Sequence, residues 1–338
     1  MTFRRLARRI LAVTPLPEMM VRRRAKRFVT VLGYHRIMPV PGPKYPFSDK
    51  IISATPEEFA RELKFLRANL DVISMAELVR GLDEPKLLPA RPAVITFDDG
   101  YADNHTCAFP VLRDAGLPAT FFVCTQLIGT RRIPWYEAWV CCFKRSRAKV
   151  IPSPFGGDDA PYALDEANLA ASHVRFRRNL GCLRWSQMPA LLGRLREATS
   201  VDPDEHLADP FFMSWDAVRE LAAAGMDVGG HTRTHPILAN VDDPQALQDE
   251  VVGCYQDLAR VLPQSPISFA YPWGSTEAMS AAADEMIEQA GFQISFSFIH
   301  GLARRSVGRV RRLPRVHSSY RDDYHEFRLQ MAIAPALA

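Results

Sequence analysis

The chain has 338 residues, 47% of them hydrophobic and 24% charged, a balance that excludes a disordered or fibrous protein and leaves room for one large domain or two smaller ones. Its formal net charge of +4 is small and sits near the ends, in residues 4–27 and between Arg304 and Arg315, so the near-neutral body argues against nucleic acid as a partner. The six cysteines, Cys107, Cys124, Cys141, Cys142, Cys182 and Cys254, show no CxxC spacing and read as reduced core thiols rather than a structural zinc site.

Residues 1–27 form a basic amphipathic segment, with Leu6, Ile10, Leu11 and Val13 between arginines, and lack the apolar core and cleavage site of a secretory signal. No stretch reaches the roughly 18 apolar residues of a membrane span. The expected location is the cytoplasm, with peripheral contact at the inner membrane face through this basic segment. A strand is expected over Phe28 to His35, then a Pro-rich loop from Pro39 to Phe47. Thr55 and Pro56 open a helix carried on by Phe59, Leu63, Phe65 and Leu66. A short strand at Asp71 to Ile73 and a helix from Ser74 to Leu82 follow.

Ala93-Val94-Ile95 reads as a buried parallel strand that ends in Thr96-Phe97-Asp98-Asp99-Gly100. A helix from Ala102 to Ala115, stopped by Gly116, leads to a strand at Ala119 to Val123. This alternation predicts a parallel sheet or barrel with helices outside. From about residue 133 to 210 the rhythm breaks, and the segment reads as a mainly helical insertion. Its Trp135 and Trp139 suit either sugar stacking or packing of the insertion onto the body. The alternation resumes with Ser214 capping a helix, a strand over Met226 to Gly230, a helix from Pro244 to Leu262 and a strand from Ile267 to Tyr271. A helix over Ala278 to Ala290 and strands near Ile294 to Phe298 and Val310 to Val316 complete the set, leaving 326–338 as a C-terminal tail.

Two adjacent carboxylates at a buried strand end must be paired, hold a metal or shift their pKa. His231-Thr232-Arg233-Thr234-His235-Pro236 adds two histidines. Gly229 and Gly230 before them and Pro236 after them favour a strand end and tight turn over a helix. Both stretches, and Tyr271-Pro272-Trp273-Gly274, fall on the carboxyl edge of the predicted sheet, where α/β folds place their sites. One Asp and two His make a three-ligand set with a position left for water, and the second Asp is placed to act as general base on that water.

These motifs resemble those of the NodB-homology polysaccharide deacetylases, carbohydrate esterase family 4, over roughly Val29 to His317 apart from the insertion. The T-F-D-D and H-[ST]-x-x-H motifs match in full. The resemblance implies a distorted (β/α)7 barrel over residues 28–325 with an inserted mainly helical segment. It further implies Asp98 as catalytic base and Asp99, His231 and His235 as ligands of a divalent metal, usually zinc, with cobalt or nickel as alternatives. Tyr271 and Trp273 would lie at the substrate, the Trp273 N–H holding the oxyanion. Two departures stand out. The family's R-x-P-[YFW] arginine falls at Ala270, and Arg315, from a neighbouring strand, is the expected substitute. The acid, normally a His near the C-terminus, is expected at His35, in Tyr34-His35, which resembles the branch that deacetylates poly-N-acetylglucosamine. His317 is the second candidate, and His105 a weaker one with no motif behind it.

The expected activity is metal-dependent removal of N-acetyl groups from amino sugars of a polysaccharide, oligosaccharide or lipid-linked glycan. A deacylase or esterase of a small acylated molecule, and a non-catalytic carbohydrate-binding protein, are the alternatives. Oligomeric state has no signature in the sequence.

Overall fold

Seven short buried segments pair side by side in parallel: β1 (Phe28–Tyr34), β2 (Pro92–Phe97), β3 (Thr120–Val123), β4 (Asp227–Gly230), β5 (Ser268–Ala270), β6 (Ile294–His300) and β7 (Leu313–His317). The structure is a computed structural model that describes residues 14–157, 159–305, 312–317 and 319–336. The ring runs β1-β7-β6-β5-β4-β3-β2 and closes where Thr30 to Tyr34 lie opposite Ala93 to Phe97. Two short strands flank the closure, Asp71–Val72 parallel to β2 and Ala303–Arg304 antiparallel to β1. This is the expected distorted (β/α)7 barrel. Strands covered on both faces need near-continuous apolar sequence, and every residue of β2 is buried.

Local sequence sets the outer helices. Pro56–Asn69 and Met75–Asp83 each begin with a capping box, Thr55 with Glu58 and Ser74 with Glu77, and both turn apolar faces inward. The segment after β2 departs from expectation. A π turn, Asn104–Ala108, precedes the α-helix Phe109–Ala115 where the sequence reads as one regular helix. Its cause is a set of three tertiary bonds. Asp103 accepts from Arg36 Nε at 2.7 Å and Ile37 N at 3.0 Å, and Asn104 donates to the His35 carbonyl at 2.6 Å. A widened turn brings both side chains to the exit of β1.

Between β3 and β4 lie the helices Trp135–Arg145, Leu169–Leu180 and Met188–Thr199, with the hairpin Val150–Ile151/Tyr162–Ala163. Trp139 stacks on Phe176 at 4.9 Å inside this segment. Trp135 stacks on Trp273 at 5.8 Å, against the barrel mouth. Trp135 thus packs the insertion onto the barrel, and Trp139 packs within it while also lining the cavity at that mouth. The C-terminal residues form more than a tail. Helix Tyr324–Ile333 buries Phe327, Leu329 and Met331 and lies along helix Leu16–Ala25, where Arg328 pairs with Glu18 at 2.6 Å and Arg24 donates to Ala332 O at 2.6 Å. The basic residues 1–13 lie outside the described residues. Among the described residues no helix is long and apolar enough to cross a membrane.

Candidate active site

The carboxyl ends of the strands open into a cavity of about 760 Å³. Asp98 and Asp99 leave β2 at its floor, each only 2% exposed. Asp99 takes a left-handed backbone, φ 75°, as do Thr232 at 64°, His235 at 66° and Trp273 at 64°. Such backbones cost about 1–3 kcal/mol each and persist only where the surroundings over-determine them. Here the surroundings are visible. Buried Glu250, on helix Pro244–Val261, accepts from Arg233 N and Thr234 N, both at 2.9 Å, and from the Thr234 hydroxyl. Thr232 Oγ1 accepts from His235 N at 3.0 Å, and the Trp135 indole N–H donates to His235 O at 2.9 Å.

That turn places the Nε2 atoms of His231 and His235 each 3.2 Å from Asp99 Oδ1. His231 Nδ1 lies 2.7 Å from the Ala270 carbonyl, a contact that requires an N–H there, so in the neutral ring the Nε2 lone pair faces Asp99. Asp99 Oδ1 has no hydrogen-bond partner among the described residues. Burial opposes ionisation of Asp99, yet His235 and His231 beside it hold its carboxyl well below the usual range. Burial keeps His235 below the ordinary histidine value despite Asp99. The set is thus one carboxylate and two imidazoles that meet it through their Nε2 atoms. Its two spacings from Asp99, 3.2 Å each, match the roughly 3.3 Å between ligands that sit about 2.0–2.1 Å from one tetrahedral ion. The residues fit a divalent metal. Cys124 also lies within 4.8 Å of Asp99 and His231, but its thiol donates to His231 O at 3.2 Å and burial pushes its pKa well up. The Cys124 thiol is thus turned to the backbone, whereas His235 presents its Nε2 3.2 Å from the same Asp99 oxygen that His231 meets.

Asp98 points elsewhere. Arg315 grips it with two bonds of 2.7 Å, Nη1 to Oδ1 and Nη2 to Oδ2, and also donates to Thr96 Oγ1 and Ser297 O. Burial alone would raise the Asp98 carboxyl. The Arg315 charge, with His231, the Arg315 bonds and His35, instead holds it below the usual range. Arg315 stands on β7, two strands round the ring from Ala270 on β5 rather than beside it, and reaches β2 across β1. The crossing point is Gly33, where a Cβ would lie 3.5 Å from the Arg315 side chain and 3.0 Å from the Phe298 ring.

Half-buried His35 lines the cavity at the end of β1, its ring edge-on to Phe298 at 4.7 Å. His317 stacks on Phe298 at 4.7 Å and meets His300 edge-on at 4.9 Å. Burial, with His300, His35 and Arg315 nearby, pushes His317 down to about 4. His105 does not join this group: it lies outside the cavity, bonded to Glu220 at 2.9 Å, because the π turn spends its inward positions on Asp103 and Asn104. Tyr271 lines the cavity, but its hydroxyl donates to Asp284 at 2.6 Å, so it has no proton to offer an oxyanion. The Trp273 N–H has no backbone acceptor among the described residues.

Two residues the motifs do not mark complete the site. Tyr136 lays its ring 4.4 Å from His235, its buried hydroxyl lacking a well-aligned partner among the described residues. It sits in the insertion, whose sequence has no strand-end signature to flag it. Glu250 was findable: an acidic residue on the apolar stripe of Leu247, Val251, Cys254 and Leu258 has to be answering buried donors.

Known proteins agree with this architecture. The Streptococcus pyogenes deacetylase PplD, solved in complex with acetate, superposes with a TM-score of 0.59 at 17% identity, covering 90% of this chain and 98% of that one. IcaB from Ammonifex degensii gives a TM-score of 0.58 at 19% identity, covering 90% and 97%. In sequence, the chain is 30% identical over 117 residues to the poly-beta-1,6-N-acetyl-D-glucosamine N-deacetylase of Staphylococcus epidermidis, a match covering 31% of this chain and 39% of that protein. It is 32% identical over 100 residues to YxkH of Bacillus subtilis, covering 29% and 33%. The chain thus spans between a third and two fifths of the curated relatives it matches. The model of the polysaccharide deacetylase family matches residues 87–295, more than half of the chain and the stretch that carries both Asp98-Asp99 and His231 to His235. The chain belongs to the polysaccharide deacetylase family.

Proposed function

We propose that the protein hydrolyses the N-acetyl groups of amino sugars in a polysaccharide, oligosaccharide or lipid-linked glycan. The observation that carries this reading is the division of labour between the two carboxylates: Asp99 faces the Nε2 atoms of two imidazoles, and Asp98 is gripped by the Arg315 fork. A divalent cation held by Asp99, His231 and His235, zinc by preference for this donor set with cobalt or nickel as alternatives, supplies Lewis acidity toward the acyl carbonyl and the attacking water.

The protein's own groups do the rest. Asp98 keeps a free lone pair on each oxygen beyond its bonds to Arg315, and takes the proton of the attacking water. The Trp273 N–H, aimed by its left-handed backbone, donates to the oxygen that gains charge. His35 gives a proton to the departing amine. The depressed pKa of His317 supports this choice, because an imidazole pushed down to about 4 carries no proton to give at neutral pH.

A relative whose name specifies poly-β-1,6-N-acetyl-D-glucosamine makes β-linked N-acetylglucosamine oligomers the first substrates to try. Acetate release from these, beside a panel of small acetyl esters and amides, tests the proposal. Metal-supported release from the oligomers is expected. Turnover of the small esters alone would replace the reading with the small-molecule deacylase.

A further inference from the structure

One wall of the cavity has no part in the chemistry above. Helix Leu169–Leu180 of the insertion turns His173, Val174 and Arg177 toward it. Arg177 holds its guanidinium 4.5 Å from the centre of the Trp273 ring, itself stacked on Trp135. No carboxylate pairs with Arg177 among the described residues, and none pairs with Lys50, which lines the same cavity. The acids at this cavity are all committed. Asp98 is bound to Arg315, Asp99 faces the histidines, Asp49 takes Arg321 and Lys144, and Asp322 accepts from Gln330 at 3.0 Å. His173 leaves a buried Nε2 without a partner on this wall. Burial, and to a lesser degree Lys50 and Lys144 nearby, pushes its ring down to about 4.

A cation fixed over an aromatic ring and left without a counter-charge is a waiting anion contact. We propose that the substrate carries an anionic substituent, a phosphate or carboxylate close to the acetamido sugar, and that Arg177, with Lys50 as a second contact, is what binds it. The proximity follows from Trp273, whose ring carries Arg177 and whose N–H is the oxyanion donor of the deacetylase reading on which this inference rests. Exposed Val174 and Ile333, 68% and 43% exposed, line the same cavity and offer apolar contact to an alkyl chain beyond the anion.

The test compares N-acetylglucosamine trimer, a matched oligomer with a uronic acid neighbour, N-acetylglucosamine 1-phosphate and its alkyl phosphodiester. Binding is read by calorimetry on metal-loaded full chain, and acetate release in parallel. The anionic ligands should bind about tenfold or more tighter than the neutral trimer, an advantage that shrinks with salt. Arg177→Gln should bring that ratio near one, Arg177→Lys should restore part of it, and Arg178→Gln, one residue along and outside the cavity, should keep it. A further gain for the phosphodiester identifies a lipid-linked source, and a preference for the uronic oligomer a polymer source. Equal binding of neutral and anionic ligands, or a ratio unmoved by Arg177→Gln, overturns the inference and leaves the deacetylase reading standing. Preferential binding with no acetate released from any sugar overturns that reading instead and leaves the anion site standing.

Discussion

Arg315→Met removes the fork from Asp98 while keeping an unbranched chain beside Gly33 and Phe298. Both members of the pair are buried, at 0% and 2% exposure, and share two bonds of 2.7 Å. Breaking a buried pair from one side strands the other charge and costs about 3–5 kcal/mol, whereas an exposed pair would cost about 1 kcal/mol or less. The double variant Asp98→Asn/Arg315→Met removes both charges, so its cost should fall short of the two single costs added together by about 2 kcal/mol or more. Urea unfolding followed by tryptophan fluorescence and by circular dichroism reads these differences, the second probe checking that one transition is seen. Arg315→Lys keeps the charge but not two parallel donors, and kcat should drop about 10- to 100-fold with KM little changed. An Arg315→Met loss within about 1 kcal/mol, or strict additivity in the double variant, would refute the account of how Asp98 is held.

Gly33→Ala adds a Cβ 3.0 Å from Phe298 and 3.5 Å from Arg315, so stability should fall by about 1–3 kcal/mol and activity with it; wild-type behaviour in both assays would show that Arg315 does not need that gap. Glu137 is fully buried, accepting from Ser48 N at 2.7 Å, and burial pushes its carboxyl up to about 7 from the ordinary 4.5 despite that bond and Arg36. Its contribution is therefore complete below pH 4.5 and is lost as pH rises through 7, up to about 3 kcal/mol in all. Glu137→Gln should gain in Tm relative to wild type between pH 5 and 8; a flat difference would contradict this. His35→Ala should cut kcat far more than His317→Ala, and the reverse order would move the acid to His317.

The sequence shows the strands well because each is a short apolar run between Gly- and Pro-rich turns, and the barrel buries them on both faces. Asp99, His231 and His235 are legible because each lies within five residues of a strand end, where local pattern and site coincide. What depends on tertiary contact is not legible. The bond between Asp98 and Arg315 joins residues 217 apart, and only the family pattern, with its arginine missing at Ala270, points to it. The π turn at Asn104–Ala108 has ordinary helical periodicity, and it exists because Asp103 and Asn104 reach back to β1. His105 misleads for the same reason: one extra residue in the turn rotates it outward to Glu220. Tyr136 and Arg177 belong to an insertion whose placement over the cavity has no local signal.

The central claim is that two neighbouring aspartates do different work, Asp99 at the metal and Asp98 at the proton. Metal content and acetate release measured on the same preparations of Asp98→Asn and His231→Ala test it directly. Asp98→Asn should keep its metal and lose turnover by about a hundredfold or more, and His231→Ala should lose both. Wild-type turnover in Asp98→Asn, or loss of its metal along with that of His231→Ala, would contradict the account.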